Sequence, residues 1–218
     1  MKLVELQSGT ILTWRHLLVM GAPRGIRFEV PVKCFYIEHN GHRILFDAGQ
    51  KPLDYQQKPD DNFLVKVTPP ESAAELLRGI SVDPATIDYL ILSHLHFDHI
   101  AGVEDFPQAK VIVQQREAAS RPLPRKDAML IDGEFDLFND QRIICVPTYG
   151  HTPGHQCLKL MMDDSAQILL TADAAYTHEA LTYEYTAEEY QKKPEFFDSL
   201  CKLRAMQQSG IKLIHSHE

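Results

Sequence analysis

His94-Leu95-His96-Phe97-Asp98-His99 follows directly on the apolar run Tyr89-Leu90-Ile91-Leu92. Three imidazoles and a carboxylate thus crowd six positions at the end of what reads as a short buried strand. Left alone, these groups would carry unpaired polar atoms into an apolar setting, whereas one bound divalent cation satisfies several of them together. The chain holds 11 histidines among 218 residues, so an isolated His-x-His pair would mean little. Density, ligand chemistry and the strand-to-loop position agree on a metal site.

Working outward from that stretch, residues 30–37 and 43–48 are apolar, β-branched or aromatic. They join through Glu38-His39-Asn40-Gly41-His42, and Asn-Gly between such runs predicts a tight hairpin. Residues 50–70 hold Pro52, Pro59, Pro69 and Pro70 among polar residues and read as a long loop of the kind that covers sites. Residues 71–78 read as a helix stopped by Gly79. Downstream, residues 111–114 predict a strand and 115–120 a short helix. Residues 143–147, 157–162 and 168–171 predict further strands, with Asp163-Asp164-Ser165 as a turn. Pro194 opens a last helix that ends before Gly210, its Phe196, Phe197, Leu200, Leu203 and Met206 forming a core-facing stripe. Residues 211–214 then form a closing strand that delivers His215 and His217. A faint echo links Phe46-Asp47-Ala48 with Ala172-Asp173, each at the end of a predicted hairpin. The alternation predicts an α/β fold of two β-rich halves packed face to face with helices outside.

With 44% hydrophobic residues, 1–218 is long enough for one domain with a substantial core. Lys and Arg total 22 against 30 Asp and Glu, a net charge of −8 that disfavours nucleic acid as a partner. Cys34, Cys145, Cys157 and Cys201 form no CxxC pair, so neither a disulfide framework nor a thiolate zinc site is indicated. Met1–Gly9 lacks a sustained apolar signal core, and no run approaches the ~20 apolar residues of a membrane span. The expectation is a cytoplasmic protein without a membrane partner.

His151, Asp173 and His217 stand at or just beyond predicted strand ends, where a layered fold collects a site from distant sequence. Five histidines and two aspartates converging there would make two metal positions. The series His94-x-His96-x-Asp98-His99, His151, Asp173, His217 resembles the metallo-β-lactamase superfamily of metallohydrolases over essentially the whole chain. That resemblance implies an αββα sandwich with a dinuclear centre at its edge. One ion would take His94, His96 and His151, the other Asp98, His99 and His217, with Asp173 bridging. Residues 93–102, Glu104-Asp105-Phe106-Pro107, Gly150-His151-Thr152-Pro153-Gly154-His155-Gln156 and Asp173-Ala174-Ala175-Tyr176 further resemble the N-acyl homoserine lactonases. In those enzymes a tyrosine three residues after the bridging aspartate contacts the substrate carbonyl, the position of Tyr176 here. The resemblance favours His217 over His215 as last ligand, since Ser216-His217-Glu218 has the small-His-acidic pattern. Lactonases of this type continue past that histidine, whereas this sequence stops at Glu218. Either the sequence is truncated there, or strand pairing and the metal hold the end, and second-ion affinity depends on which. His155 is expected to support its loop, His178 to lie behind the ligands or at the surface, and His16, His39 and His42 to be solvated.

The activity so implied is hydrolysis of a small lactone or ester, most closely an N-acyl homoserine lactone, as in quorum quenching. The nucleophile is a hydroxide held between two divalent ions, with Tyr176 polarising the carbonyl and Asp98 carrying the proton to the leaving oxygen. Zn suits these imidazole and carboxylate ligands, with Fe, Mn or Co as alternatives. The rivals on the same scaffold are a thioesterase acting on a glutathione conjugate, a phosphodiesterase and a β-lactamase. Tyr176 and the lack of a clear basic cluster lean toward a neutral lactone. Diiron relatives that work with a flavin domain carry glutamate where this chain has His96. A nuclease is disfavoured by charge, and a metal that only stabilises the fold would leave no open coordination position. Trp14, Met20, Ile26, Phe28 and Phe63 form either an acyl groove or part of the core, and a monomer and a homodimer are both open.

Overall fold

Ile44, Leu45 and Phe46 are all fully buried, yet neighbours in sequence belong to different cores. Ile44 and Phe46 pack with Phe35, Ile112, Cys145 and Leu158, whereas Leu45 packs with Leu90, Val111 and the helical Ala73 and Leu77. Side chains alternate across a strand, so a run apolar on both faces must be covered on both faces.

The computed structural model describes residues 1–19, 22–181 and 193–218. A seven-stranded sheet is built from β1 (Lys2–Trp14), β2 (Arg27–His39), β3 (His42–Phe46), β4 (Phe63–Lys66), β5 (Tyr89–Ile91), β6 (Lys110–Gln114) and β7 (Met129–Ile131), in the order β4-β1-β2-β3-β5-β6-β7. A five-stranded sheet holds β8 (Phe135–Asp136), β9 (Ile143–Pro147), β10 (Gln156–Met161), β11 (Gln167–Leu170) and β12 (Lys212–Ile214), in the order β12-β11-β10-β9-β8. The described α-helices are α1 (Arg15–Leu18), α2 (Ala73–Gly79), α3 (Phe97–Ile100), α4 (Gln115–Ser120) and α5 (Pro194–Gln208). The inner faces of the sheets share one core, and α2 covers the outer face of the first. Phe196, Leu200 and Leu203 of α5 pack on Ile144, Val146, Cys157 and Leu169 of the second. At roughly 1.5–3 kcal/mol per fully buried apolar side chain, those three residues anchor α5 without a side-chain N-cap. The layers are those of an αββα sandwich. No described helix is long and apolar enough to cross a membrane.

The Asn-Gly hairpin forms as expected: Asn40 and Gly41 have φ of 50° and 80°, and His39 pairs with His42. Four strands were not legible, β1, β4, β7 and β8. In β1, Leu6 is buried before a register shift between Gln7 and Thr10, Ser8 within it, and Ile11 and Thr13 after it, so the alternation changes phase. Gly9 makes this bend at φ +69°, where a Cβ would lie 2.4 Å from the Lys66 carbonyl oxygen. The expected 50–70 loop contains β4, which pairs with residues 10–13 of β1. Its edge is bracketed by Gln57, whose side-chain amide donates to the Val65 carbonyl and whose side-chain oxygen accepts from the Val65 amide.

The expectation of solvated His16, His39 and His42 is corrected in part. His39 is buried, with Nε2 2.6 Å from Asp140 Oδ2. His42 stacks on Phe138, and the buried Nδ1 of His16 has no hydrogen-bond partner.

Candidate metal centre

Strand direction gathers the candidate ligands. β3, β5 and β6 run parallel, so the residues after β3 and β5 emerge at one edge of the first sheet. β9 and β11 are both antiparallel to β10 and therefore run the same way, and β12 is parallel to β11. The ends of β9, β11 and β12 thus deliver His151, Asp173 and His217 to one edge of the second sheet. His94 and His96 lie in the loop after β5, and α3 turns Asp98 and His99 back into the same space.

The seven residues form two groups: His94, His96, His151 and Asp173 in one, and Asp98, His99 and His217 in the other. Within each group the potential ligand atoms all lie within 4.8 Å of one another. Asp173 faces both. Its Oδ2 lies 3.3 Å from His151 Nε2 and 3.6 Å from His94 Nε2, while Oδ1 lies 3.2 Å from both His99 Nε2 and His217 Nε2. Asp98 Oδ2 is 3.6 Å from His99 Nε2 and 3.7 Å from His217 Nε2.

Surrounding hydrogen bonds fix the rings. His99 Nδ1 donates to Asp47 Oδ2 at 2.8 Å, and His217 Nδ1 to the Pro31 carbonyl at 2.8 Å. Ser93 Oγ donates to Asp47 Oδ2, which leaves it to accept from His94 Nδ1 at 2.9 Å. The Tyr176 hydroxyl lies 3.2 Å from His151 Nδ1. With Nδ1 engaged in each, all four rings turn Nε2 to the site, the nitrogen left for a metal to take.

The chain by itself leaves this arrangement unresolved. His151 Nε2 faces His94 Nε2 at 3.1 Å and His96 Nδ1 at 2.9 Å, three ring nitrogens that cannot all be protonated toward one another. The buried His99 Nε2 makes no well-directed hydrogen bond, although Asp173 Oδ1 is near. A cation at each group satisfies those atoms, so the residues fit divalent metal. Burial, reinforced by neighbouring imidazoles, holds His94 well below the ordinary histidine range, and burial does the same for His151; both stay neutral. Burial works against the charged forms of Asp173 and His99, but their mutual attraction prevails. The carboxyl is held well below its usual range and the imidazole well above.

His155 lies behind the ligands. Its Nδ1 is 2.8 Å from Thr148 Oγ1, its Nε2 accepts the Asp173 amide at 3.1 Å, and burial pushes it down to about 3. His215 turns Nδ1 to the Ala175 carbonyl at 3.0 Å, and His178 is exposed. The last residues are tied down: β12 pairs with β11, the His217 amide donates to the Tyr176 carbonyl, and Glu218 Oε2 accepts the His178 amide.

A cavity of about 860 Å³ opens over the site. Ile11, Leu17, Leu18, Val30, Phe63 and Phe97 form its apolar wall, and Tyr176 with five of the seven candidate ligands lines it. Of the suggested groove residues, Phe63 lies on this wall, while Phe28 packs in the cluster with Ile11, Leu18, Val30 and Tyr176. Trp14 stacks under Arg27, Ile26 is exposed, and Met20 lies outside the described residues. Arg24, Arg121 and Lys193, far apart in sequence, also line the cavity. Sequence reasoning also missed Asp47, whose carboxylate accepts from the Ser93 amide, the Ser93 hydroxyl and His99. The echo between Asp47 and Asp173 was its available signal, since both carboxylates end strands that reach the site.

Residues 27–198 match the metallo-beta-lactamase superfamily. The N-acyl homoserine lactonase AttM of Azorhizobium caulinodans is 28% identical over 244 residues, spanning 100% of this chain and 93% of that protein. An N-acyl homoserine lactonase of a Bacillus species is 31% identical over 172 residues, 71% of this chain and 68% of that protein. The solved structure of an N-acyl homoserine lactone hydrolase, with the product N-hexanoyl-L-homoserine bound at its catalytic metal centre, superposes with a TM-score of 0.87. It is 25% identical, and the match covers 99% of this chain and 92% of that one.

Proposed function

The chain belongs to the metallo-β-lactamase superfamily, and from that premise and its site we infer that it is a metal-dependent hydrolase that opens the ring of N-acyl homoserine lactones. The observation that carries this reading is Asp173 turning one oxygen to each of two imidazole groups on the floor of a largely apolar cavity. His94, His96 and His151 would hold one divalent cation, Asp98, His99 and His217 the other, and Asp173 both. When bound, the cations supply Lewis-acid activation of a water and of the lactone carbonyl. Zinc suits the N and O donors, with iron, manganese or cobalt as alternatives that such ligands discriminate poorly.

The remaining tasks fall to the chain. The apolar wall from Ile11 to Phe97 receives the acyl group and excludes water from it. Tyr176, on the lining, presents its hydroxyl to the carbonyl oxygen as charge develops there. Asp98, 6% exposed and beside both His99 and His217, would take a proton from the attacking water and pass it to the ring oxygen as it leaves. Tyr176→Phe should therefore lower lactone turnover by roughly 10–100-fold, somewhat less than loss of a full oxyanion donor, with metal content unchanged. Steady-state kinetics on metal-analysed protein tests this. Unchanged turnover removes Tyr176 from the chemistry, and loss of metal would assign it to holding His151 instead.

One observation favours a second reading. Arg24, Arg121 and Lys193 on the lining suit an ester or thioester with an anionic tail, such as a glutathione conjugate. Comparing kcat/KM for a homoserine lactone and a glutathione thioester on the same preparation decides between them.

A further inference from the structure

The loop bearing His94 and His96 follows β5 in the first sheet, and the loop bearing His151 follows β9 in the second. Strand pairing within either sheet leaves the separation of these loops unset. Two side chains bridge it. Gln156 donates its backbone N–H to the Ser93 carbonyl at 2.9 Å and its side-chain Nε2 to the Leu92 carbonyl at 2.7 Å.

Glu117, in α4, supplies the second fastening. Its Oε1 accepts the Leu95 amide at 3.0 Å, between the two histidines of the first loop. Its Oε2 accepts the Gly154 amide at 2.9 Å, three residues past His151. The side chain is fully buried. The approach is also close, since a Cβ at Gly154 would lie 2.1 Å from the Glu117 amide nitrogen. The bland alternative is a glutamate that merely caps its own short helix. Here both oxygens are spent on other loops, and the side chain of the N-cap residue Gln114 does not cap the helix either. Burying a carboxylate is costly unless hydrogen bonds compensate, and these two amides are the compensation.

We propose that Glu117 is a positioning residue that sets the spacing of His94 and His96 against His151, and so the cation affinity of that group alone. The Asp98, His99 and His217 group has separate supports in Asp47 and the Pro31 carbonyl. The proposal rests on the two-cation reading above.

Zinc titration of metal-free protein by calorimetry tests it, with the wild type, Glu117→Gln and Glu117→Asp compared alongside the melting of each metal-free form. A glutamine turns an N–H toward one of the two backbone amides and releases one loop. One of the two zinc affinities should then fall by about 10–100-fold while the other holds. In a His151→Ala background, which removes the affected group, the Glu117→Gln effect should vanish. Aspartate keeps both acceptor oxygens on a shorter arm and should recover part of the loss. It also carries the comparison if the glutamine variant does not fold. Unchanged zinc affinities, or a parallel decline of both with the melting temperature, would overturn the proposal. A wild type that binds no zinc overturns the two-cation reading itself, so the two failures are distinguishable.

Discussion

Asp173→Asn should empty both cation groups at once, leaving less than one zinc per chain and lactone turnover down by roughly 10³-fold or more. The estimate exceeds the 10–100-fold typical of a residue one step removed from the metal, because each Asp173 oxygen faces its own set of imidazoles. Asparagine matches the shape of aspartate, so the change isolates its charge. His99 and His217 are both held above the ordinary histidine range against burial, with Asp173 the leading cause, and the metal-free variant loses that attraction too. Removing one partner from a buried charged pair costs about 3–5 kcal/mol, so the melting of the metal-free protein should fall as well. Metal analysis after gel filtration is the check. Two retained zinc ions with full turnover would sink the shared-ligand assignment.

Asp47→Ala should be the most destabilising change among residues that line neither the cavity nor a cation group. It orphans three donors, the Ser93 amide, the Ser93 hydroxyl and His99 Nδ1, all buried. At about 1–3 kcal/mol per unsatisfied buried group, the total is a large share of the ~5–15 kcal/mol that holds a domain folded. Asp47 also sits at φ 61°, a conformation that aspartate tolerates better than alanine. The urea midpoint should drop sharply, and Asp47→Asn, which spares the backbone, should still lose zinc from the Asp98, His99 and His217 group. An unchanged midpoint for the alanine variant would show that the Ser93 and His99 donors find other partners.

The cluster of candidate ligands was legible because its spacing is local and its chemistry dense: four of the seven residues fall within six positions. His217 was separable from His215 only by pattern. In the structure the difference is that His215 Nδ1 turns to the Ala175 carbonyl, while His217 Nε2 faces Asp98 and Asp173. The supports were illegible for a physical reason. Asp47 reaches residues 46 and 52 positions away, and Glu117 reaches 22 back and 37 forward. A lone acidic residue leaves no periodic trace of such partners. Strand β1 escaped because the bulge at Gly9 breaks the alternation on which strand reading depends. Arg24, Arg121 and Lys193 escaped as lining residues because only the fold brings each of them to the cavity.

Lactone hydrolysis by metal-analysed protein, before and after chelation and again after zinc is restored, tests the central claim most directly. Acid release should follow opening of an N-acyl homoserine lactone, vanish on chelation and return with two zinc ions per chain. It should also rise with acyl length as the apolar wall fills. Two bound zinc ions without lactone turnover, on substrates from short to long acyl chains, would contradict the account and move the substrate to the anionic thioesters that the three cations suit.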